Sequence, residues 1–453
     1  MELIRALQEA VGEAHVLLDA GSRLGYETDW MGRRRGAAAA VVRPGSTGEV
    51  AAVVAACAAA GAPIVPQGGN TGLVAGGVPR GGEVVVSTSR LGWVGEPDVS
   101  SGQVAAGAGA TLAAVRAVVA PAGLDVGLDL ASRERASVGG MVATNAGGLR
   151  VLRHGHTRAH LSGVEAVLAD GRVLHRMAGL RKDTAGYDLT GLLCGSEGTL
   201  AVITAVLLRL VRAEPERVTA LLGVGSVADA LAVVGRLRSA VDGLESAEVM
   251  FADGLALLEA QLGLRSPLGA GPPVQLLVEV ADADPDRLLA ALAASPEVGG
   301  SAVATDRSGR ERLWALRERH PDLVARLGVP HKLDVAVPLA ALAAFEVEVR
   351  GALGRLRPPP AGVVLYGHLG DGSLHVNVAT AGAGAVEDGE VEDAVFGAVA
   401  RFGGTISAEH GIGTDKARWL GLTRSGEEIA VMRAVKSALD PAGLLNPGVL
   451  LGS

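Results

Sequence analysis

Histidine, glutamate and asparagine side chains are concentrated in two glycine-framed stretches near the end of the chain, residues 368–377 and 407–411. Imidazole nitrogens and a carboxylate together suit Zn²⁺ or a similar divalent ion, with positions left open for substrate oxygens. A histidine in a strand is usually just hydrogen-bonded, but this chain has only 10 histidines, so their grouping here favours a functional site. The candidate residues are His368, His375, Asn377, Glu409 and His410.

A strand, a turn and a second strand are predicted for residues 368–377. His375 and Asn377 are two residues apart, so in a strand they point to the same face. His368 lies seven residues before His375, an odd offset that an unbroken strand would place on the opposite face. The turn at Gly370–Asp371–Gly372 can fold His368 back towards His375.

Three glycine-rich stretches indicate a second kind of site. Residues 67–72, QGGNTG, follow a predicted strand; glycine there allows positive φ and close backbone approach, and successive N–H groups form a concavity that suits a pyrophosphate. A single glycine-rich loop is more often only a turn. Two more glycine-rich stretches strengthen the prediction of a binding site, namely residues 137–148, SVGGMVATNAGG, and residues 195–204, GSEGTLAVIT. Residues 107–112, GAGATL, begin like the dinucleotide fingerprint GxGxxG but carry Leu112 in place of the third glycine, so we do not predict NAD binding.

The first half of the chain has the pattern of an α/β domain. Residues 38–213 alternate short Val, Ala and Ile runs with helices rich in small residues. Ser46 and Glu49 predict a capping box for a helix that runs through Ala60, and Gly61 predicts its end. The predicted strands are Ala40–Arg43, Ile64–Val65, Val84–Val86, Val164–Leu168, Arg172–Leu174 and Leu200–Leu208.

A change of character after residues 211–217 predicts a second domain. Apolar runs at Val218–Val224 and Val274–Val280 alternate with helices rich in Ala and Leu, which predicts strand–helix–strand units. A helix from Glu427 to Leu439 is predicted to close the chain.

The bulk composition limits the partners and the compartment. A chain of 453 residues is long enough for about two or three cores, and a net charge of −8 argues against a nucleic-acid or anionic-membrane surface. Cys57 and Cys194 lack the spacing of a disulfide framework or an iron–sulfur cluster. The N-terminus lacks secretory features, and the most apolar run, residues 50–65, is broken by Gly61 and Pro63. We therefore expect a cytoplasmic protein without a membrane-spanning helix.

Seven motifs occur in order along the chain, namely PQGGNTGL, SVGGMVATNAGG, KDTAGYDL, GSEGTLAVIT, YGHLGDGSLHVNV, ISAEHGIGTDK and LDPAGLLNPG. Together they resemble the FAD-linked oxidases of the vanillyl-alcohol oxidase and p-cresol methylhydroxylase (PCMH) type, specifically the branch of D-lactate dehydrogenase, glycolate oxidase and D-2-hydroxyglutarate dehydrogenase. The resemblance covers nearly the whole chain. It implies an α+β fold, with a two-part PCMH-type FAD-binding domain, an α/β substrate (cap) domain and a C-terminal helical segment.

The resemblance also implies domain limits. An N-terminal helical segment is expected at 1–37, the FAD-binding domain at 38–213 and the substrate domain, with the metal and catalytic loops, at 214–425. The last segment, 426–453, is expected to return to the FAD domain.

FAD is the cofactor that the resemblance implies. Residues 66–73 would bind its pyrophosphate, and Val202 would lie by the adenine. Relatives that attach flavin covalently at the first loop have a histidine after the paired glycines, where this chain has Asn70, so we expect non-covalent FAD. The implied cofactor-binding residues are Pro66, Gln67, Gly68, Gly69, Asn70, Thr71, Gly72, Leu73, Ser137, Val138, Gly140, Thr144, Asn145, Gly147, Gly148, Glu197, Val202 and Asn446.

The same resemblance assigns the polar cluster to a hydroxy-acid site. His368, His375 and Glu409 would bind Zn²⁺ or another divalent metal, and His410 would be the base. The metal would polarise the 2-hydroxyl, His410 would remove its proton, and hydride would leave C2 for flavin N5.

Two cationic residues match the positions with which relatives hold the substrate carboxylate. They are Arg317 and Lys332, and a guanidinium can bind a carboxylate bidentately. Asn377 is also expected to be a catalytic residue. Without the resemblance, an arginine in a predicted helix indicates a solvated ion pair. One turn after Arg317, where some relatives have a hydroxyl, this chain has Pro321, and substrate identity stays open.

The expected partners are a small D-2-hydroxy acid, of the D-lactate, glycolate or D-2-hydroxyglutarate type, and an electron acceptor that the sequence does not identify. The sequence is also compatible with a homodimer. Two alternatives stay open: a flavin-containing subunit of a multi-subunit glycolate oxidase, and a non-redox transferase of the alkylglycerone-phosphate synthase type, which would need a phosphate-binding cluster.

Overall fold

The computed structural model describes residues 2–214, 216–269, 271–281, 285–328, 330–380 and 389–452. The chain divides into two compact units. Unit 1 consists of Met1–Gly148, Gly155–Ala213 and Glu409–Ser453, and unit 2 consists of Leu149–His154 and Glu214–Ala408.

The secondary structure of the described residues is numbered in chain order. The strands are β1 Val16–Leu17, β2 Ala40–Val42, β3 Ile64–Gln67, β4 Val84–Ser87, β5 Gln103–Gly107, β6 Leu124–Asp125, β7 Leu161–Val167, β8 Val173–Arg176, β9 Val202–Arg209, β10 Val211–Arg212, β11 Val218–Val224, β12 Leu244–Phe251, β13 Val274–Val280, β14 Gly300–Ala304, β15 His331–Ala336, β16 Gly362–His368 and β17 Ser373–Ala379. The α-helices are α1 Glu2–Val11, α2 Ala20–Glu27, α3 Thr47–Ala60, α4 Leu112–Val119, α5 Val138–Thr144, α6 Val151–His154, α7 Thr157–His160, α8 Leu189–Leu193, α9 Val227–Ala240, α10 Ala252–Leu262, α11 Pro285–Ala293, α12 Arg307–Glu318, α13 His320–Arg326, α14 Leu342–Gly354, α15 Glu390–Arg401 and α16 Gly426–Leu439. None of these helices is long and apolar enough to cross a membrane.

A parallel sheet in unit 1 positions the first glycine stretch. In the sheet of order β1-β2-β4-β3, strands β2, β4 and β3 run parallel. Their Val, Ala and Ile side chains pack with apolar residues of α1 and α3 in one buried core. Because β3 ends at Gln67, the glycine stretch begins directly at the end of a buried parallel strand.

Helix α3 has the predicted limits, but one bond of the predicted capping box is wrong. Ser46 Oγ accepts the N–H of Glu49 at 3.1 Å, and Gly61 ends the helix with φ of 62°. The Glu49 carboxylate, however, accepts the N–H of Gly45 at 2.7 Å, not that of Ser46. Arg90 lies 3.4 Å from this carboxylate, so the Glu49 side chain extends past the cap towards an ion pair.

Two strands of the second sheet of unit 1, which has the order β5-β9-β7-β8, begin later than the sequence predicts. Strand β8 begins at Val173 because the Asp170 side chain accepts the N–H of Arg172 at 3.0 Å in a turn. Strand β9 begins at Val202, since Glu197 and the glycine that follows it have positive φ and keep the preceding stretch in a loop.

Unit 2 contains an antiparallel sheet of seven described strands, in the order β14-β11-β13-β12-β16-β17-β15. Strands β11 and β13 have the predicted limits. The predicted strand–turn–strand over 368–377 is confirmed as β16, a 3-10 turn at Leu369–Asp371 and β17. The order of strands places β12 beside β16 and β15 beside β17, so acidic residues of β12 and β15 lie opposite the two histidines.

Candidate functional site

The first glycine stretch is shaped by two side-chain amides. Gln67 Nε2 donates to Tyr26 O at 2.9 Å and to Gly77 O at 2.7 Å, which ties the two ends of the loop together. Asn70, with φ of 52°, donates from Nδ2 to Thr28 O at 2.9 Å. The backbone N–H groups of residues 70–73 form no hydrogen bond with other described residues. A run of such N–H groups in a glycine loop is an anion-binding arrangement.

The second stretch packs directly against the first. Ser137 is the N-cap of α5, and its Oγ accepts the N–H of Gly140 at 3.3 Å and that of Gly69 at 3.2 Å. A Cβ on Gly69 would lie 1.9 Å from the carbonyl oxygen of Arg135, and one on Gly68 would lie 2.2 Å from Ser137 Oγ. Glycine is therefore required at residue 69, where the neighbouring atom belongs to the backbone of the second stretch, whereas at residue 68 the neighbouring atom is a side-chain oxygen.

The third stretch connects two further motifs through Glu197. Its buried carboxylate accepts the backbone N–H groups of Ile412 at 2.8 Å and Gly413 at 2.7 Å, just after His410 in the chain. Asn446 Nδ2 donates to the carbonyl of Glu197 at 2.7 Å and to that of Gly76 at 2.9 Å. Burial raises the pKa of Glu197, and the two N–H groups and a nearby lysine oppose that rise.

Backbone strain in unit 1 is concentrated at predicted cofactor residues. The described non-glycine residues with positive φ are Asn70, Ala75, Asn145, Glu197, Asn446 and Leu450. Four of them were predicted to bind the cofactor. Such conformations cost about 1–3 kcal/mol and persist where the surrounding structure requires them, often at functional sites.

Some predicted cofactor residues have structural side chains. Val138 and Val202 are buried in the hydrophobic cores of unit 1, and Thr144 Oγ1 donates to the carbonyl of Gly140 at 3.0 Å. A Cβ on Gly148, whose φ is 113°, would lie 2.1 Å from the carbonyl oxygen of Asp129. Val138, Val202 and Gly148 can therefore offer a cofactor backbone atoms only, whereas the Thr144 hydroxyl oxygen can still accept a hydrogen bond.

In unit 2 the two histidines face each other. His368 Nε2 and His375 Nε2 lie 3.3 Å apart, and both rings are buried. Behind them, His368 Nδ1 lies 2.8 Å from Glu248 Oε1 and His375 Nδ1 lies 3.4 Å from Asp334 Oδ1. An ionised carboxylate can only accept, so the bond to Glu248 places the hydrogen of His368 on Nδ1 and leaves a lone pair on its Nε2. The approach of Asp334 to His375 is a longer charge contact.

Strand register produces this arrangement. Glu248 is paired with His368 between β12 and β16, and Asp334 with His375 between β15 and β17. Directly opposed residues of antiparallel strands have neighbouring side chains. Sequence reasoning missed both acids. The sequence offered no clear signal for them, because β12 (LESAEVMF) and β15 (HKLDVA) each contain other polar residues.

Arg317 is part of the same buried group. Its Nε donates to Glu248 Oε2 at 2.7 Å, and its guanidinium lies over the ring of Tyr366, with Cζ 4.6 Å from the centroid. Its Nη groups form no hydrogen bond with other described residues. Burial alone would raise the pKa of Glu248, but its contacts with His368 and Arg317 outweigh burial and hold that pKa below its usual value.

The remaining predicted residues extend the group. Lys332 is paired with Asn377 between β15 and β17, and Asn377 lies two residues from His375, on the same face of its strand. Ala408, the last residue of unit 2, donates its N–H to Asp334 Oδ2 at 3.1 Å.

Glu409 and His410 follow Ala408 in the chain and begin the last segment of unit 1. Their side chains are near each other, with Glu409 Oε1 3.8 Å from His410 Nε2. Pro321 lies in the first turn of α13.

Two protein-family domains match this chain and together cover most of its length. Residues 38–176 match the FAD binding domain, and residues 213–450 match the C-terminal domain of FAD linked oxidases. A mitochondrial D-2-hydroxyglutarate dehydrogenase of Bos taurus is 38% identical over 98% of this chain and 83% of its own. A D-2-hydroxyglutarate dehydrogenase of Xanthomonas citri pv. viticola is 36% identical over 99% of this chain and 96% of its own.

Solved structures show the same fold. P-cresol methylhydroxylase with substrate bound has a TM-score of 0.78 at 15% identity, over 100% of this chain and 96% of its own. An alkyldihydroxyacetonephosphate synthase has a TM-score of 0.76 at 16% identity, over 98% of this chain and 84% of its own. The expected mixed helix-and-sheet architecture with a PCMH-type FAD-binding domain is confirmed. The chain belongs to the FAD-linked oxidase family.

Proposed function

We propose that this chain is an FAD-dependent dehydrogenase that oxidises a D-2-hydroxy acid to the 2-oxo acid. The observation that carries the proposal is the buried pair of imidazoles, His368 and His375, facing each other at 3.3 Å with a carboxylate behind each ring. The D-2-hydroxyglutarate dehydrogenases at 38% and 36% identity make D-2-hydroxyglutarate the first substrate to test.

FAD fits the three glycine stretches of unit 1. The unbonded N–H groups of residues 70–73 suit pyrophosphate oxygens, and the positive φ values at Asn70, Asn145 and Glu197 bend the stretches so that backbone atoms are presented. When bound, FAD supplies a two-electron acceptor. We propose non-covalent binding, because Asn70 stands where covalently flavinylated relatives have a histidine and an amide forms no such bond.

A divalent metal fits the two histidines. Two Nε2 atoms 3.3 Å apart either share a hydrogen or lie on two sides of a positive ion. Zn–N bonds of ~2.0–2.1 Å at tetrahedral angles separate two nitrogens by roughly 3.3–3.4 Å. We propose His368, His375 and Glu409 as the ligands, since Glu409 directly follows the residue that Asp334 binds. A metal there would lower the pKa of a coordinated hydroxyl.

The chain's own residues would bind the substrate and move its proton. Arg317 can offer its Nη groups to a carboxylate, and we propose Lys332 as the second cation and Asn377 as a polar contact. His410 would accept the 2-hydroxyl proton while the C2 hydrogen leaves as hydride. The products are the 2-oxo acid, a protonated imidazole and the reduced cofactor.

The first experiment is anaerobic mixing of the purified yellow protein with D-2-hydroxyglutarate, D-lactate and glycolate, with flavin bleaching as the readout. We expect His410→Ala to keep its colour and to lose roughly 100-fold or more of the bleaching rate. His175→Ala, which removes an exposed histidine of unit 1, is the matched control. Normal bleaching by the His410 variant would remove this residue from the role, and a colourless protein that takes up no flavin would end the proposal.

Metal content is tested separately. We expect the isolated protein to hold one divalent ion per chain, and dialysis against EDTA to abolish flavin reduction by the hydroxy acid without removing the flavin. Full activity in protein shown to be metal-free would instead mean that the imidazoles share a proton.

The same mixing experiment separates the alternatives. A non-redox transferase, suggested by the fold similarity to alkyldihydroxyacetonephosphate synthase, would bind FAD but would not be bleached by any hydroxy acid. A subunit that works only within a larger complex would need partner chains for activity. Size-exclusion chromatography tests whether the chain forms a homodimer, and cell fractionation tests the expected cytoplasmic location.

A further inference from the structure

Glu248 lies between two residues with different proposed tasks. One carboxylate oxygen, Oε1, is 2.8 Å from Nδ1 of His368, and the other, Oε2, is 2.7 Å from Nε of Arg317. The carboxylate is buried, with 1% of the side chain exposed. Each oxygen serves one partner, so a rotation of the carboxylate would disturb both bonds at once.

The backbone leaves Glu248 little freedom to move. Strand β12 is hydrogen-bonded on both sides, to β13, where Glu248 is opposite Leu277, and to β16, where it is opposite His368. The Cα position is therefore set by two neighbouring strands. A change at this side chain cannot be compensated by a shift of the main chain without breaking the ladder.

Only a carboxylate can satisfy both partners. His368 Nδ1 and Arg317 Nε are both donors here, and an ionised carboxylate accepts through both oxygens. A glutamine would accept through one oxygen and turn an N–H₂ group towards the other donor. Burial makes such a mismatch costly, because water cannot replace the lost bond.

The two bonds have functional consequences. The bond to His368 fixes the tautomer that points the Nε2 lone pair at His375. The bond through Nε holds the Arg317 guanidinium over Tyr366 and leaves its Nη groups for a carboxylate.

We propose that Glu248 is a positioning residue that holds a metal-ligand imidazole and the carboxylate anchor in one fixed relation, so that metal binding and substrate binding both depend on it. This inference rests on the proposed function, because it takes His368 as a ligand and Arg317 as the anchor.

The test compares Glu248→Gln with Glu245→Gln in the flavin-loaded enzyme. Glu245 is a matched control, since it lies on the same strand, is equally buried and also pairs with arginines and a histidine, namely Arg150, Arg153, His154 and Arg217. Two affinities are measured. Zn²⁺ affinity is obtained by competition with a chelator, and D-2-hydroxyglutarate affinity is obtained in metal-stripped protein from the perturbation of the flavin spectrum.

Glu248→Gln is expected to weaken Zn²⁺ binding roughly 10- to 100-fold and to weaken binding of the acid to metal-stripped protein about 10-fold. Glu245→Gln is expected to change neither, although both variants lower the unfolding midpoint. Unchanged affinities in Glu248→Gln, or a change in one affinity without the other, would overturn the shared role. If Glu248→Gln does not fold, Glu248→Asp, whose carboxylate is one methylene too short to reach both partners, is judged by the same criteria.

Different experimental outcomes would contradict the role of Glu248 and the proposed function. If the unmutated protein holds no metal and is not bleached by any hydroxy acid, the function is wrong. If it holds metal and is bleached, while Glu248→Gln keeps both affinities, only the role of Glu248 is wrong.

Discussion

At the scale of single residues, the imidazole pair depends on acids behind it. Asp334 has a position equivalent to that of Glu248, since it faces His375 Nδ1 and is also bonded to a second element, the N–H of Ala408. A carboxylate behind a ligating histidine fixes the ring and raises its basicity. Asp334 therefore contacts both the His375 ring and Ala408, the residue that directly precedes Glu409.

We predict that Asp334→Asn weakens metal retention roughly 10- to 100-fold. The amide can still accept one hydrogen bond, so we expect the substitution to weaken metal binding and to leave folding intact. Zinc content after dialysis against a chelator measures it. Asp253→Asn, which removes one of the two acidic partners of Arg350 in the same unit, is the control. Equal zinc retention in the two variants would contradict the role of Asp334.

His320 is a buried histidine that the proposed mechanism does not use. Its Nδ1 is bonded to Leu316 O at 2.8 Å, and its ring lies 4.8 Å from that of Tyr366. Burial, followed by the charge of Arg317, lowers its pKa to about 3. The folded protein thus holds His320 neutral, whereas the unfolded chain binds a proton below about pH 6.5.

This difference predicts a loss of stability on acidification. Because the unfolded state binds more protons than the folded state between about pH 6.5 and 3, the free energy of unfolding falls as pH falls through that range. From pH 6.5 to 5 the His320 share of the loss is roughly 1–2 kcal/mol. His320→Phe should lose that much less than the unmutated protein in urea unfolding at the two pH values. Equal acid sensitivity in the His320 variant would show that another group dominates.

At the scale of elements, the sequence predicted those helices and strands whose limits are set by neighbouring residues, such as caps and turns. The closing helix was predicted at Glu427–Leu439 and is α16, which begins one residue earlier with a capping box at Ser425 and Glu428. The hairpin of β16 and β17 followed from residue types and a glycine turn. Its two acidic neighbours did not follow, because Glu248 lies 120 residues before His368, and only the order of strands brings them together.

The contact between the first two glycine stretches can be tested by one methyl group. A Cβ on Gly69 would lie 1.9 Å from Arg135 O, which is backbone and cannot move aside cheaply. We predict that Gly69→Ala weakens FAD binding at least about 10-fold and lowers the unfolding free energy by about 1–3 kcal/mol through overpacking. Gly421→Ala, where a Cβ meets nothing within 4 Å, should change neither. Flavin content on purification and urea unfolding measure both effects, and full flavin content in Gly69→Ala would contradict the packing argument.

At the scale of the whole molecule, the two units divide the candidate chemistry. Unit 1 contains the three glycine stretches and, at the start of its last segment, Glu409 and His410; unit 2 contains the histidine pair, the two buried acids and Arg317. The motifs indicated the family because they are short and local. They did not reveal that the chain changes units at 148/149, 154/155, 213/214 and 408/409, which depends on contacts distant in sequence.

This division predicts that the two ligands protect different parts of the chain. A ligand that binds only the folded state, at 100 times its Kd, stabilises it by about 2.7 kcal/mol, which slows amide exchange through opening of its site about 100-fold. Removing FAD should therefore speed exchange in residues 67–73, 137–148 and 195–198, and chelating the metal should speed it in β16 and β17. Peptide-level hydrogen exchange of the holo, flavin-free and metal-free protein measures this. Helix α11 of unit 2, which contains no candidate ligand, is the internal control. Exchange that rises equally everywhere after flavin removal would mean that FAD stabilises the chain as a whole and not through the glycine stretches.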